Sequence, residues 1–215
     1  MPVARALADL PYAQYLQPFD GELTYDGDYT EAHLDRAEFD GAAAAGARIS
    51  ESAITSVTFT GSTFERARLD DVWVSRSRWI GGTWADVQLL GVTILDSVLA
   101  GVQAYSSHWR RVVVQDCKLD SLNLRGADLR DVEFRDCELS EVDFGEATLA
   151  GVTFPGSALR RVRFPKVTAK KLDFRGAREL DVAQGWDSLA GAVLDAGQLA
   201  EVAPALAQTL GIVVR

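Results

Sequence analysis

From Leu34 to Phe174 an apolar residue falls at every fifth position, without a break. Of these 29 centres all but three are Leu, Phe, Ile, Val or Trp, and the three are Ala44, Ala104 and Ala169. The place two residues before each centre is restricted too, holding seven Ala, eleven Val, six Ser, two Cys, two Leu and one Gly. The other three places in each five carry nearly all the charge. Successive side chains of an extended segment face opposite ways, so a centre and the residue two before it point to the same side. The next two residues both point out, and the chain must therefore turn a corner once per five. A helix is excluded because its apolar stripe recurs at about 3.6 residues. A straight strand is excluded because the alternation breaks at every corner. The pattern predicts a solenoid, in which each turn stacks on the last and backbone groups pair between turns.

The inner places also predict the number of sides. Positions 72, 92, 112, 132 and 152 are all Val, whereas 77, 97, 117, 137 and 157 read Ser, Ser, Cys, Cys, Ser. Larger and smaller inner residues tend to alternate with a period of ten, which needs an even number of sides. Four sides give a repeat of 20 residues, about seven turns, and a coil about 34 Å long at roughly 4.8 Å per turn.

Both ends of such a coil need covering, because an open end exposes unpaired backbone and an apolar cross-section. Residues 1–31 hold Tyr12, Tyr15, Phe19, Tyr25 and Tyr29 outside the unbroken run of centres and are read as an N-terminal cap. Residues 32–176 form the coil, and 177–215 a C-terminal cap within the same single domain. Asp195 and Gln198 have capping-box spacing, Leu199, Val202, Leu206 and Leu210 follow at helical steps, and Gly211 suits a stop. Pro204 is expected to kink or split that helix. The closing GIVVR can add one short strand.

Composition narrows the function. At 47% apolar over 215 residues the chain can bury a core. The sequence holds no run of the roughly 18 apolar residues that a membrane span needs, and its start lacks a signal-peptide pattern. A soluble cytoplasmic protein is the expectation, and two cysteines without zinc-ligand partners fit a reducing compartment. A net charge of -9 argues against unaided nucleic-acid binding, which rests on Lys and Arg at phosphates.

Candidate chemistry is thin. His33 and His108 each precede a centre and are read as solvent-facing, with no ligand set around them. Cys117 and Cys137 lie one turn apart on the inside and are read as buried thiols. No glycine-rich phosphate loop is present, and neither a cofactor, a metal nor catalysis is expected.

The outer surface says more. Residues 128–146 hold eight acids against Arg130 and Arg135, while 160–175 hold seven bases against Asp173. At a spacing of 20, side chains lie above one another, so Glu141/Arg161, Asp143/Arg163, Glu146/Lys166, Lys118/Glu138, Arg66/Asp86, Arg76/Asp96 and Arg111/Asp131 are expected opposite pairs. Arg48/Arg68, Glu51/Asp71, Arg110/Arg130 and Asp116/Asp136 are like-charge pairs. Asp128, Glu133 and Asp136 have no evident opposite partner. Trp73, Leu95 and Val113 fall on one side in successive turns and form an apolar stripe, a contact surface unless the terminal segments fold back over it. Trp79, Trp84 and Trp109 stand at centres and belong to the core.

The segments LNLRG and ADLRD (122–131), VDFGE (142–146) and LDFRG (172–176) resemble the A-(D/N)-L-x-x unit of the pentapeptide-repeat family. That resemblance implies an all-β fold, a right-handed quadrilateral parallel β-helix. Thr58, Trp73 and Gln88 depart from the Asp or Asn of the unit. One branch of the family shields DNA gyrase from quinolones by mimicking duplex DNA. The resemblance therefore implies a non-enzymatic protein whose partner is DNA gyrase or topoisomerase IV. Asp128, Asp131, Glu133, Asp136, Glu138, Glu141, Asp143 and Glu146 are its candidate phosphate surrogates. It also implies either a monomer or a homodimer formed through the C-terminal element. The alternative is an assembly scaffold acting through Trp73, Leu95 and Val113, with no link to a topoisomerase.

Overall fold

The computed structural model describes residues 4–213. The chain coils with a parallel register of 20 residues per turn, as in Arg78↔Val98 and Lys118↔Glu138. Four sides are distinct. The first begins at β2 (Asp28–Thr30) and the second at β3 (Ala32–Asp35). The third begins at β4 (Glu38–Asp40), and the fourth is a ladder of single bridges from Ala43↔Thr63 to Asp143↔Arg163. The first and second sides form one sheet, because the strands His108–Gln115 and Asp128–Arg135 bend continuously round the corner between them. The fold is a quadrilateral parallel β-solenoid with one C-terminal helix.

The corners take the residue two after each centre into the left-handed region, with φ of 53° at Asp131 and 50° at Asp136. That conformation costs an ordinary side chain about 1–2 kcal/mol, which Asp and Asn tolerate better than most. Gly82 is an exception on the inside: it has φ +89°, and a Cβ there would lie 2.3 Å from the Ser62 carbonyl oxygen. Only glycine fits.

Inside, the centres stack directly. Phe134 and Phe154 have ring centroids 5.3 Å apart at 7°, Phe154 and Phe174 5.4 Å at 10°, and Phe144 and Phe164 4.9 Å at 7°. Adjacent sides meet edge to face, as Phe144 does with Phe154. Trp79, Trp84 and Trp109 are buried centres. The small inner column is a hydrogen-bond ladder. Ser77 N–H donates to Ser97 Oγ (3.0 Å), Ser97 N–H to Cys117 Sγ (3.3 Å) and Cys137 N–H to Ser157 Oγ (2.9 Å). Ser77, Ser97, Cys117 and Cys137 each return a bond to a corner carbonyl, for example Ser97 to Leu95 (2.6 Å) and Cys137 to Arg135 (3.1 Å), and Ser157 bonds the Phe134 carbonyl (2.9 Å). The small polar residue thus satisfies buried backbone groups that Val at the alternate corners leaves to the main chain. Both cysteines are unbridged and buried. The hydrogen bond with Cys117, and then burial, push the Cys137 thiol well above its ordinary pKa.

The coil makes about eight turns, one more than the count of centres predicts, with eight rungs on the first side from Asp28–Thr30 to Thr168–Lys170. The extra turn starts inside the segment assigned to the cap. Tyr29 occupies a centre, edge-on to Phe19 at 5.2 Å, and its hydroxyl accepts the Thr24 N–H at 2.7 Å. A tyrosine can hold a centre at the end of the coil because its hydroxyl still reaches polar partners there. At the other end the register slips by one residue, so that Leu159 pairs with Leu180.

The N-terminal segment does more than cap. Two short 3-10 turns, Leu7–Asp9 and Ala13–Tyr15, run across the second side before β1 (Gln17–Pro18) pairs with Ala32 and His33. At the C-terminal end, α1 (Ala196–Thr209) starts on a capping box: Gln198 N–H donates to Asp195 Oδ1 (2.9 Å) and Asp195 N–H to Gln198 Oε1 (3.1 Å). The expected split at Pro204 does not occur, and α1 runs unbroken through it. Pro204 and Ala200 are exposed, so water can take the carbonyl that the missing N–H leaves free. Gly211, at φ +70°, follows the helix. Residues 211–213 form no strand, and the rest of GIVVR lies outside the described residues.

Candidate functional site

A solenoid turns a run of sequence into a girdle. The acidic stretch 128–146 covers one whole turn, with Asp128 on the first side, Glu133 on the second, Glu138 on the third and Asp143 on the fourth. Asp131, Asp136, Glu141 and Glu146 stand at the four corners between them. These eight carboxylates therefore encircle the coil and share no face. A line of charge along the axis needs acids 20 residues apart.

Six of the eight are held by arginine or lysine, and the pairing differs from the expectation for Asp128 and Glu133. Both pair within their own strand: Asp128 takes Arg130 Nε on both oxygens at 3.0 Å, and Glu133 takes Arg135 at 2.6 Å. Side chains two apart in a strand project from one face, which a comparison across turns overlooks. The carboxylates raise the guanidinium pKa of Arg130 and Arg135, and Arg175 lowers that of Asp173 by the same two-residue contact.

Across turns, Glu141 meets Arg161 at 3.2 Å, Glu138 meets Lys118 at 3.8 Å, and Asp143 meets Arg163 at 3.9 Å. Glu146 bonds Arg125 at 2.8 Å and forms no ion pair with Lys166 among the described residues. Nor do Arg66/Asp86, Arg76/Asp96 and Arg111/Asp131 form ion pairs among the described residues. Of the eight acids, Asp131 and Asp136 alone have no ion pair within the described chain. Each leans over a corner glycine of the next turn: a Cβ on Gly151 would lie 2.9 Å from Asp131 Oδ1, and one on Gly156 2.0 Å from Asp136 Oδ1.

Asp136 belongs to an axial line that the consecutive run conceals. Asp96, Asp116 and Asp136 occupy the same corner, between the second and third sides, in three successive turns. All three are exposed, and none is in an ion pair among the described residues. Gln115 Nε2 donates to Asp116 at 3.0 Å. The sequence signal was the like-charge pair Asp116/Asp136 at a spacing of 20. A second such line, Glu31, Glu51 and Asp71, stands at the corner between the first and second sides.

The apolar stripe is not a free surface. Trp73 is 3% and Leu95 5% exposed, because the N-terminal segment lies over them with Leu10 and Tyr12, and Leu7 and Leu16 pack at the margin. Trp73 Nε1 donates to the Ala4 carbonyl at 3.0 Å, and Tyr12 Oη to that of Ser52 at 3.4 Å. Val113 lies apart from this cluster, half-buried beside a shallow groove of about 260 Å³ with Arg111, Asp131, Glu133 and Thr153. The three stripe residues are thus split between a covered patch and an unrelated groove. The physical reason is that Leu7, Leu10, Tyr12 and Leu16 have their own apolar surface to bury, and the stripe is the apolar face within reach.

His33 also departs from expectation. It is half-buried, its Nε2 lies 2.8 Å from Thr55 Oγ1, and Thr55 donates to Asp35 at 2.6 Å. That bond, ahead of Arg36, lowers the Asp35 pKa. His108 is exposed. Among the described residues no three of His, Cys, Asp and Glu are grouped to hold a metal, and no helix is long and apolar enough to cross a membrane.

Residues 96–174 match the family model described as a pentapeptide repeat region. That stretch carries the pentapeptide repeat, and the same 20-residue register runs on either side of it. Solved structures with a similar coil include HetL, involved in heterocyst differentiation regulation in the cyanobacterium Nostoc sp. strain PCC 7120. It is 16% identical, with 82% of this chain and 93% of that chain covered at a TM-score of 0.35. Another is trypsin-treated QnrB1, a plasmid-mediated fluoroquinolone resistance protein, at 20% identity, 92% and 96% coverage and a TM-score of 0.37. A third is Rfr23 of the cyanobacterium Cyanothece 51142, at 12% identity, 75% and 89% coverage and a TM-score of 0.27. No match was found among curated proteins.

Proposed function

We propose that the protein is non-enzymatic and works by binding another protein against the side of its coil. In its sharper form, the partner is a type II topoisomerase, DNA gyrase or topoisomerase IV, and the coil occupies that enzyme's DNA-binding surface. The observation that carries this reading is the axial line Asp96, Asp116 and Asp136, exposed and in no ion pair among the described residues. A duplex presents anionic charge in lines along its axis, and on a four-sided coil only acids 20 residues apart do the same. The phosphate surrogates are accordingly Asp96, Asp116 and Asp136, with Asp131 at the neighbouring corner. Glu138, Glu141, Asp143 and Glu146 are engaged with bases and contribute less.

The test is gyrase supercoiling at micromolar protein, with and without a quinolone. The wild type is expected to change supercoiling or relieve drug-induced cleavage. An Asp96→Asn, Asp116→Asn, Asp136→Asn triple variant is expected to lose the effect at least tenfold while keeping its thermal unfolding. An unchanged reaction in both conditions rejects the topoisomerase reading.

A homodimer through the C-terminal element has its own support. Ala200, Ala203, Pro204, Ala207, Ile212 and Val213 line an apolar groove on the outer side of α1. Sedimentation velocity of Ala203→Glu against wild type distinguishes a dimer from a monomer.

A further inference from the structure

The two ends of the coil are finished differently, and the N-terminal one leaves a strand edge unpaired. β4 pairs on one side only, with Thr58–Thr60, and ends its sheet. In a parallel ladder alternate residues bond alternate neighbours. Thr58 N–H bonds the Ala37 carbonyl, Gly41 N–H bonds the Thr60 carbonyl, and Ser62 Oγ reaches the Phe39 carbonyl. Residues 37, 39 and 41 thus face the next turn, and Glu38 and Asp40 turn their N–H and C=O groups toward the open end. Among the described residues nothing bonds them. The preceding turn supplies a strand only on the second side, where β1 lies over β3.

Beside this edge runs a cleft of about 610 Å³, bounded by Gly21–Tyr25 on one wall and residues 38–43 on the other. Its floor is partly apolar, with half-buried Phe39 and buried Leu23, and exposed Tyr25 stands at its mouth. Glu22, Glu38 and Asp40 line it, and no Lys or Arg does. Arg36, at the corner before β4, is engaged with Asp35 at 2.8 Å.

We propose that the open edge of β4 is a docking strand for an extended, Lys- or Arg-bearing segment of a partner protein, which adds to the third side as a further strand. Main-chain bonds to Glu38 and Asp40 supply the pairing, and the three carboxylates select a basic segment. A second copy is disfavoured as occupant. Edge against edge sets Glu22, Glu38 and Asp40 against their own kind, and at the far end α1 packs against the last strand of the same side, Glu179–Gln184. This inference is independent of the axial acid line, which lies at another corner.

The probe is a fluorescein-labelled alternating Lys-Val heptapeptide, titrated against the full chain by polarisation, with a Glu-Val heptapeptide as control. Binding by the Lys-Val peptide alone is expected, with slowed exchange of the Glu38 and Asp40 amides. Methylation of alternate peptide nitrogens is expected to weaken it at least tenfold, since it removes the pairing groups and keeps the charge. The variant Glu38→Lys/Asp40→Lys, exposed on both counts and checked by circular dichroism, should reverse the charge preference. Equal affinity for methylated and unmethylated peptides, no binding at millimolar peptide, or self-association that protects the same two amides would each overturn the proposal.

Discussion

The two ends of this coil face the same problem and answer it in different ways. At the C-terminal end, Gln198 Nε2 donates to the Phe174 carbonyl at 2.7 Å and to that of Ala177 at 3.2 Å, so one buried side chain of α1 satisfies two backbone groups of the last turns. At the N-terminal end, β1 covers the second side, Tyr29 and Phe19 close part of the cross-section, and the third side is left as an edge. The N-terminal chain spends its apolar residues on the flank, over Trp73 and Leu95. A helix across an end can satisfy orphan carbonyls and bury apolar area together, whereas an extended strap does so only along the line it follows.

Four expectations test that contrast, beginning with the core that both ends share. Phe144→Ala removes a fully buried ring from its stack on Phe164 and should cost about 3–5 kcal/mol. Thermal denaturation should fall by roughly 10 °C or more, whichever end is intact. Gln198→Ala leaves the Ala177 carbonyl unpaired, takes one of two bonds from the Phe174 carbonyl and breaks the capping box, for about 1–3 kcal/mol in urea denaturation. Hydrogen exchange should rise in α1 and the last turn and stay unchanged near β1.

The strap should yield more easily. Tyr12→Phe loses the bond to Ser52 and should cost about 1 kcal/mol, seen as faster proteolysis within residues 4–16 while the coil stays intact. Burial first, then Asp71 and Glu51, raise the Tyr12 pKa above its ordinary 10.0. The folded strap therefore holds the hydroxyl proton more tightly than the unfolded one, and its contribution is complete below about pH 10 and fades as pH rises beyond it. Strap proteolysis should accelerate above about pH 10 in the wild type and lack that component in Tyr12→Phe. Smallest of all, Arg163→Ala removes an exposed contact and should shift urea stability by no more than about 1 kcal/mol. A larger loss would show that the C-terminal turns depend on surface charge as well as on α1.

Much of this was legible in the chain. The five-residue spacing of Leu, Phe and Trp centres, the alternation of Val with Ser or Cys, and the capping box at Asp195 are local or strictly periodic, and each appears where the spacing places it. Tyr29 was missed as a centre because its ring is apolar and its hydroxyl is not. The acids were read along the sequence, where 128–146 is a run, although neighbours on a solenoid are 20 apart. That hid the line Asp96, Asp116 and Asp136, whereas comparing charges only across turns hid the two-residue pairs Asp128/Arg130 and Glu133/Arg135.

Taken alone, the sequence determined the path of the coil, because every inner place must be apolar or small enough to share a closed four-sided core. Tertiary structure decided which outward residues meet solvent. Trp73 and Leu95 have the pattern of surface positions and become core because a strap distant in sequence finds them. Glu38 and Asp40 have the pattern of ordinary outward charges and come to flank an open edge because no turn precedes β4 on its side. Burial from outside and the pairing of an edge depend on which segments meet there, and no five-residue period encodes that.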